Sequence, residues 1–135
     1  MAVSMSRLDE LIALRARERE EAQRDHLRAM TGRLDEALGP RVLEALDPGG
    51  EGGWEAGPLA AARRFVFRNT EYHLAVHAPL GAPRVEVELR HADLRFNALA
   101  KKTALQDVDE DWFLANLETL AGQVRDRLVN PRNFT

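Results

Sequence analysis

The spacing of apolar positions changes twice along the chain, and the changes divide it into helix, sheet and helix. Residues 6–38 contain no proline and a single glycine, Gly32, in a stretch dominated by Leu, Ala, Arg and Glu. These residues favour the helix, so the segment predicts one long helix. Ser6 is its expected N-cap, with Asp9 and Glu10 in the first turn opposing the positive end of the helix dipole. The larger apolar residues gather at the two ends: Leu8, Leu11, Ile12 and Leu14, then Leu27, Met30, Leu34 and Leu38. From Arg15 to His26 only Ala16 and Ala22 are apolar, while Arg17 with Glu21 and Glu20 with Arg24 sit at the i,i+4 spacing that supports a helix along its own surface. Leu14 and Leu27 lie about 20 Å apart along such a helix, too far for one small core to cover both groups.

Gly39 and Pro40 end the helix, because glycine caps C-termini and proline suits the first turn of a new element. A short second helix is expected over 41–46. Residues 47–58, DPGGEGGWEAGP, hold five of the nine glycines and read as a flexible loop. From Arg63 the period becomes two. Phe65 and Phe67 alternate with Arg64, Val66 and Arg68; Tyr72, Leu74 and Val76 with His73, Ala75 and His77; Val85, Val87 and Leu89 with Arg84, Glu86, Glu88 and Arg90. Each run reads as a strand. Turns are expected at Asn69 and Thr70, at 79–83 and at 91–93, with a weaker fourth strand over 94–97 through Leu94 and Phe96. The order predicts an antiparallel meander whose apolar face needs a cover. Asp109 can cap a last helix in which Phe113, Leu117, Leu120, Val124 and Leu128 recur at spacings of three and four, ending by Asn130 ahead of Pro131. The expected fold is α+β: a long N-terminal helix, a four-stranded antiparallel meander sheet and a C-terminal helix packed on one sheet face. Residues 1–46 form a helical arm, 47–62 a glycine-rich loop, and 63–135 the sheet with its helix, all one domain.

The 135 residues and their 44% hydrophobic content suit one modest core. No apolar run approaches the ~20 residues that cross a bilayer, and no signal-peptide core is evident, so a cytoplasmic protein without membrane contact is expected. The absence of cysteine excludes disulfides, thiolate metal sites and cysteine nucleophiles. Net charge is only −3, unevenly spread: residues 1–60 carry 8 Arg against 12 acids, residues 61–102 carry 8 basic residues against 4 acids, and residues 103–135 carry 3 against 6.

Candidate chemistry is sparse. The only serines are Ser4 and Ser6, and no nucleophile elbow, Walker loop or GxGxxG turn occurs. His73 and His77 have a spacing that binds zinc on a helix, but on a strand they stand about 13 Å apart, too far to share an ion. A metal site would need Glu86 or Glu88 from a neighbouring strand, or His91 with Asp93. No cofactor, metal or catalytic residue is assigned. Trp54 among its glycines is either an anchor on the core or a contact for a partner. On the polar sheet face, Arg64, Arg68, Arg84, Arg90 and Arg95, followed by Lys101 and Lys102, form a candidate phosphate-binding surface, with Glu86 and Glu88 in its midst. The expected function is a non-catalytic interaction module, a small adaptor, chaperone-like or assembly protein. It would bind itself as a homo-oligomer, or another protein, through Leu8, Leu11, Ile12 and Trp54. The alternative is a nucleic-acid-associated protein using the basic face, and third a metal-dependent or acid/base enzyme on that face.

Overall fold

The computed structural model describes residues 2–48, 52–96 and 99–129. Helix α1 spans Ala2–Ala37 and α2 spans Pro40–Ala45. Five strands follow, β1 Glu55–Ala56, β2 Ala60–Phe67, β3 Thr70–His77, β4 Glu86–His91 and β5 Ala100–Ala104, and then α3 Glu110–Val129. The strands pair antiparallel in chain order. The α+β class, the long first helix and the final helix are those the residue pattern predicts; the sheet has one strand more.

Register assigns the faces, because residues opposite each other in an antiparallel pair share a face. Phe65 faces Tyr72, Ala61 faces Val76, Leu74 faces Leu89, and Val76 faces Val87. These side chains are buried beneath the helices. Helix α3 covers this face with Phe113, Leu117, Leu120 and Val124, and the Phe113 ring meets Phe65 edge-on at 5.3 Å between centroids. Asp109 caps α3, accepting from the Trp112 amide at 2.8 Å. Leu128, expected on the buried stripe, is exposed. A helix of 20 residues is about 30 Å long, whereas strands of 8 residues run about 26 Å, so the last turn outreaches the sheet.

Other departures have local causes. Ser6 does not cap α1, which is helical from Ala2, since nothing between Ala2 and Ser6 breaks a helix. The first hairpin turns on Arg68 and Asn69, both at positive φ (52° and 62°), with Phe67 paired to Thr70. Two consecutive left-handed residues make the tight turn that matches strand twist, and it removes Arg68 from the strand. Residues 94–96 form a 3-10 turn instead of a strand. Asp93 accepts from the Arg95 amide at 3.0 Å, and the Phe96 amide donates to the Asp93 carbonyl at 2.9 Å, so an Asp turn outcompetes the ladder. The last strand is displaced to Ala100–Ala104, an edge whose Lys101 and Lys102 hide its apolar alternation. The expected loop over 47–62 in turn contains β1 and the start of β2. The side chain of Leu94, Asn97 and the expected stop at Asn130 lie outside the described residues.

Helix α2 is tied to α3 through Arg41, which donates to Glu110 at 2.7 Å and to Asp111 at 2.8 Å. The Glu110 carboxylate occupies the space a Cβ would need at Gly39, so a larger residue there would push Glu110 away from Arg41. Gly32 meets no such neighbour. It lies exposed in the interior of α1 with open space around its Cα. Gly32→Ala is expected to stabilise the protein by about 0.5–1 kcal/mol by restricting the unfolded chain, read as a raised urea midpoint at unchanged slope.

Candidate functional site

Among the described residues, the buried side chains of helix α1 all lie in its C-terminal half. Leu27, Met30 and Leu34 recur at spacings of three and four and are buried against the sheet, while every residue from Ser6 to Ala22 is exposed. Three fully buried aliphatic side chains contribute roughly 1.5–3 kcal/mol each, which is what fastens the helix. Two polar devices fix its position. Gln23, the first residue after Ser6 to lose exposure, donates from Nε2 to the Ala78 carbonyl at 2.7 Å and accepts at Oε1 from the Leu80 amide at 2.6 Å. One side chain thereby pairs with a loop backbone much as a neighbouring strand would. Next to Leu34 in the chain, Asp35 accepts from the Trp54 indole at 3.1 and 3.2 Å and from Arg63 Nη1 at 3.1 Å. Arg63 stands opposite Leu74, on the covered face of the sheet, with its guanidinium 5.2 Å from the centre of the Phe65 ring. Trp54 is half-buried against the core, so the indole is engaged within the chain's own fold.

Beyond Gln23 the helix continues for 21 residues to Ala2, about 30 Å, as an arm whose residues 6–22 are all exposed. Leu8, Leu11, Ile12 and Leu14 on this arm are 52, 52, 59 and 46% exposed. Helical geometry places Ile12 within about 20° of Gln23 around the axis and Leu8 within about 20° of Arg19, with Leu11 flanking them and Leu14 on another side. Leu8 and Ile12 therefore look to the same side of the helix as the base that grips the sheet, while Leu11 lies about 120° from Gln23. On that side, between the arm and the loops at Ala56–Leu59 and Pro79–Leu80, lies an open cleft of about 780 Å³ lined by Arg19, Gln23, Leu27, Leu59 and Leu80 among others.

The expected basic surface is divided. Arg64 stands opposite His73, and His73 opposite Arg90, on the open sheet face; Lys102 stands there opposite Glu88. Arg68 instead stacks 4.8 Å from the Phe67 ring centre and pairs with Glu118 of α3 at 2.7 Å. Arg95 is held by Asp93 at 2.8 Å, Arg84 lies ahead of β4, and Lys101 is opposite Leu89, in register with the covered face. The cations on the open face meet carboxylates: Lys102 to Glu88 at 3.3 Å, Arg90 to Glu88 at 3.9 Å, Arg64 to Glu71 at 3.5 Å. Between them runs a shallow trough floored by Ala60, Ala62 and Ala75. His77 faces Glu86 across the strands, yet among the described residues no three His, Asp or Glu side chains converge on a point that could hold an ion.

His91 is the titratable group most shaped by its surroundings. It is buried, its ring 4.6 Å from Phe96 and 5.5 Å from Tyr72 between centroids, and its Nδ1 accepts from the Asp93 amide at 2.9 Å. Burial pushes its pKa below the ordinary 6.5, and Asp93 partly opposes the shift. Arg95 holds the Asp93 carboxyl down to about 2. Burial pushes the Tyr72 hydroxyl up. These groups form the inner wall of a turn and stabilise it; they do not line the clefts described above.

The arm, its base and the cleft beside it thus bring together the exposed Leu8, Leu11, Ile12, Leu59 and Leu80. Leu8, Leu11 and Ile12 were legible from the sequence as a stripe, whereas Gln23, Asp35, Leu59 and Leu80 had no local signal, since their partners are remote in the chain. No protein-family model, curated protein or solved structure significantly matches this chain. No helix among the described residues is long and apolar enough to cross a membrane.

Two measurements test this anatomy. Asp35→Ala removes the shared acceptor of Trp54 and Arg63 and is expected to cost about 1–2 kcal/mol, Asp35 being partly exposed. In a Trp112→Phe background, the emission of Trp54 should shift to the red. For His91, the folded chain binds a proton less readily than the unfolded chain, so stability is full above the ordinary pKa of 6.5 and is lost as pH falls from there through the lowered folded value. Urea midpoints at about pH 8 and about pH 5 should differ less in His91→Asn, whose amide oxygen accepts from the Asp93 amide without titrating.

Proposed function

We propose that this chain is a non-catalytic protein-interaction module whose binding element is the projecting half of α1. A single observation carries the reading: Leu8, Leu11 and Ile12 sit about half exposed on a helix whose residues 6–22 are all exposed. Isolated helices of this length are marginal in water even with good helix formers, and an apolar stripe left in solvent adds no stability. A partner that buries the stripe both orders the arm and supplies the hydrophobic driving force. The domain acts as the mount: the clamp at Gln23 and the buried seam set where the arm points. The role is that of an adaptor or assembly protein, and the simplest partner is a second copy, giving a homo-oligomer.

The test is deletion of residues 1–14, followed by light scattering and a thermal melt beside the intact chain. The expected outcome is association of the intact protein that the deletion abolishes, with the melting temperature of the domain retained. A monomeric intact protein whose deletion variant melts far lower would mean that the tip stabilises its own domain, and the reading would fail.

A further inference from the structure

The exposed half of α1 carries its charges in blocks that alternate in sign. Net charge is −1 over residues 7–10 (Arg7, Asp9, Glu10), +2 over 15–17 (Arg15, Arg17), −2 over 18–21 (Glu18, Glu20 and Glu21 with Arg19) and +1 at the base over 24–28 (Arg24 and Arg28 with Asp25, which lies 3.9 Å from Arg28). The order is acidic, basic, acidic, basic, so it reads with opposite sign when reversed. Two such helices laid side by side in the same direction set each block against its like. Laid in opposite directions and crossing near Arg17 and Glu18, they set the acidic tip of each against the basic base of the other, and the arginine block of each against the glutamate block. Parallel pairing is thus opposed by the same charges that favour the antiparallel one.

The apolar groups obey the same symmetry. Reversal about residues 17 and 18 brings Leu8, Leu11 and Ile12 of one copy opposite Gln23, Arg24 and Leu27 of the other. Those positions form the arm's side of the cleft, and across from them stand Leu59 and Leu80, 56 and 49% exposed. Leu8 and Ile12 lie on the cleft's side of the helix, Ile12 within about 20° of Gln23, so both ends of one arm can be engaged by a single straight partner. The overlap from Leu8 to Leu27 is about 28 Å, and each contact occurs twice, as a two-fold interface requires.

From this we infer that the occupant of the cleft beside Gln23 is the arm tip of a second copy of this chain, in a two-fold dimer with antiparallel arms. This rests on the proposed role of the arm and adds to it the partner, the direction and the seat. The cleft supplies the apolar wall that the polar middle of the arm lacks, and the middle supplies register through charge.

The absence of cysteine makes the arrangement testable by single thiols. Ile12→Cys and Gln23→Cys, the positions that reversal sets opposite each other, are prepared separately in the full chain, then oxidised mildly, each alone and as an equimolar mixture, and run on a non-reducing gel. Antiparallel pairing brings Cys at these two positions of different copies within the ~4.4–6.8 Å Cα separation a disulfide spans, while each position is more than ten residues from itself across the axis. The expected result is a band of doubled mass in the mixture and loss of it in either variant alone. A doubled band from Ile12→Cys alone would show parallel arms and overturn the inference while leaving arm-mediated association standing. No doubled band in any sample, with unsubstituted protein that light scattering shows to be dimeric, would also overturn it and place the interface elsewhere. Unsubstituted protein that is monomeric would remove the second copy as occupant; a heterologous partner for the arm would then be the surviving form of the proposed function.

Discussion

The seating of α1 on the sheet governs what the rest of the molecule can do. Leu27, Met30 and Leu34 bury one short seam, and two devices flank it, Gln23 on the loop backbone and Asp35 on Trp54 and Arg63, which set the rotation of the helix and its place along the axis. The hydrophobic seam supplies the free energy, and the hydrogen bonds supply the geometry, since each is worth little net but is expensive to leave unmade in a partly buried place. Without the seam the arm would be a marginal helix on a tether. With it, exposed side chains some 20 Å away are held at a defined position.

Much of this was legible along the chain, and the parts that were not share a cause. Phe113, Leu117, Leu120 and Val124 announce a covering helix, and Phe65, Phe67, Tyr72, Leu74, Val76, Val87 and Leu89 announce one face of a sheet, because burial on a regular element repeats with that element's period. Leu94 and Phe96 imitate that period inside an Asp-initiated 3-10 turn, where spacing alone cannot tell the two apart. The strand at Ala100–Ala104 is silent because an edge with lysines on it has little apolar alternation to show. Arg68 looked like a strand residue and is a turn residue, which moves its charge from the open face to α3.

The charges of the sheet show a related effect. Arg64, Arg84 and Arg90 alternate with core residues along the chain, but alternation does not tell who stands opposite. Register sets Glu88 between Arg90 and Lys102 and Glu71 beside Arg64, so charges that add in the sequence neutralise each other in the sheet. Contacts across long separations carry no sequence signature at all. Nothing about Gln23 distinguishes it from other polar residues of the arm until the 78–80 backbone is beside it.

That grip has a consequence for how the surface can vary. Gln23 holds the carbonyl of Ala78 and the amide of Leu80, main-chain atoms that every substitution at those positions retains, proline at 80 excepted. The bearing of the arm is therefore insulated from the identity of the loop side chains. Leu80 and Leu59 can be exchanged, and the chemistry of the cleft rewritten, without re-aiming the helix. Orientation and specificity are inherited from separate atoms, which lets one drift while the other stays fixed.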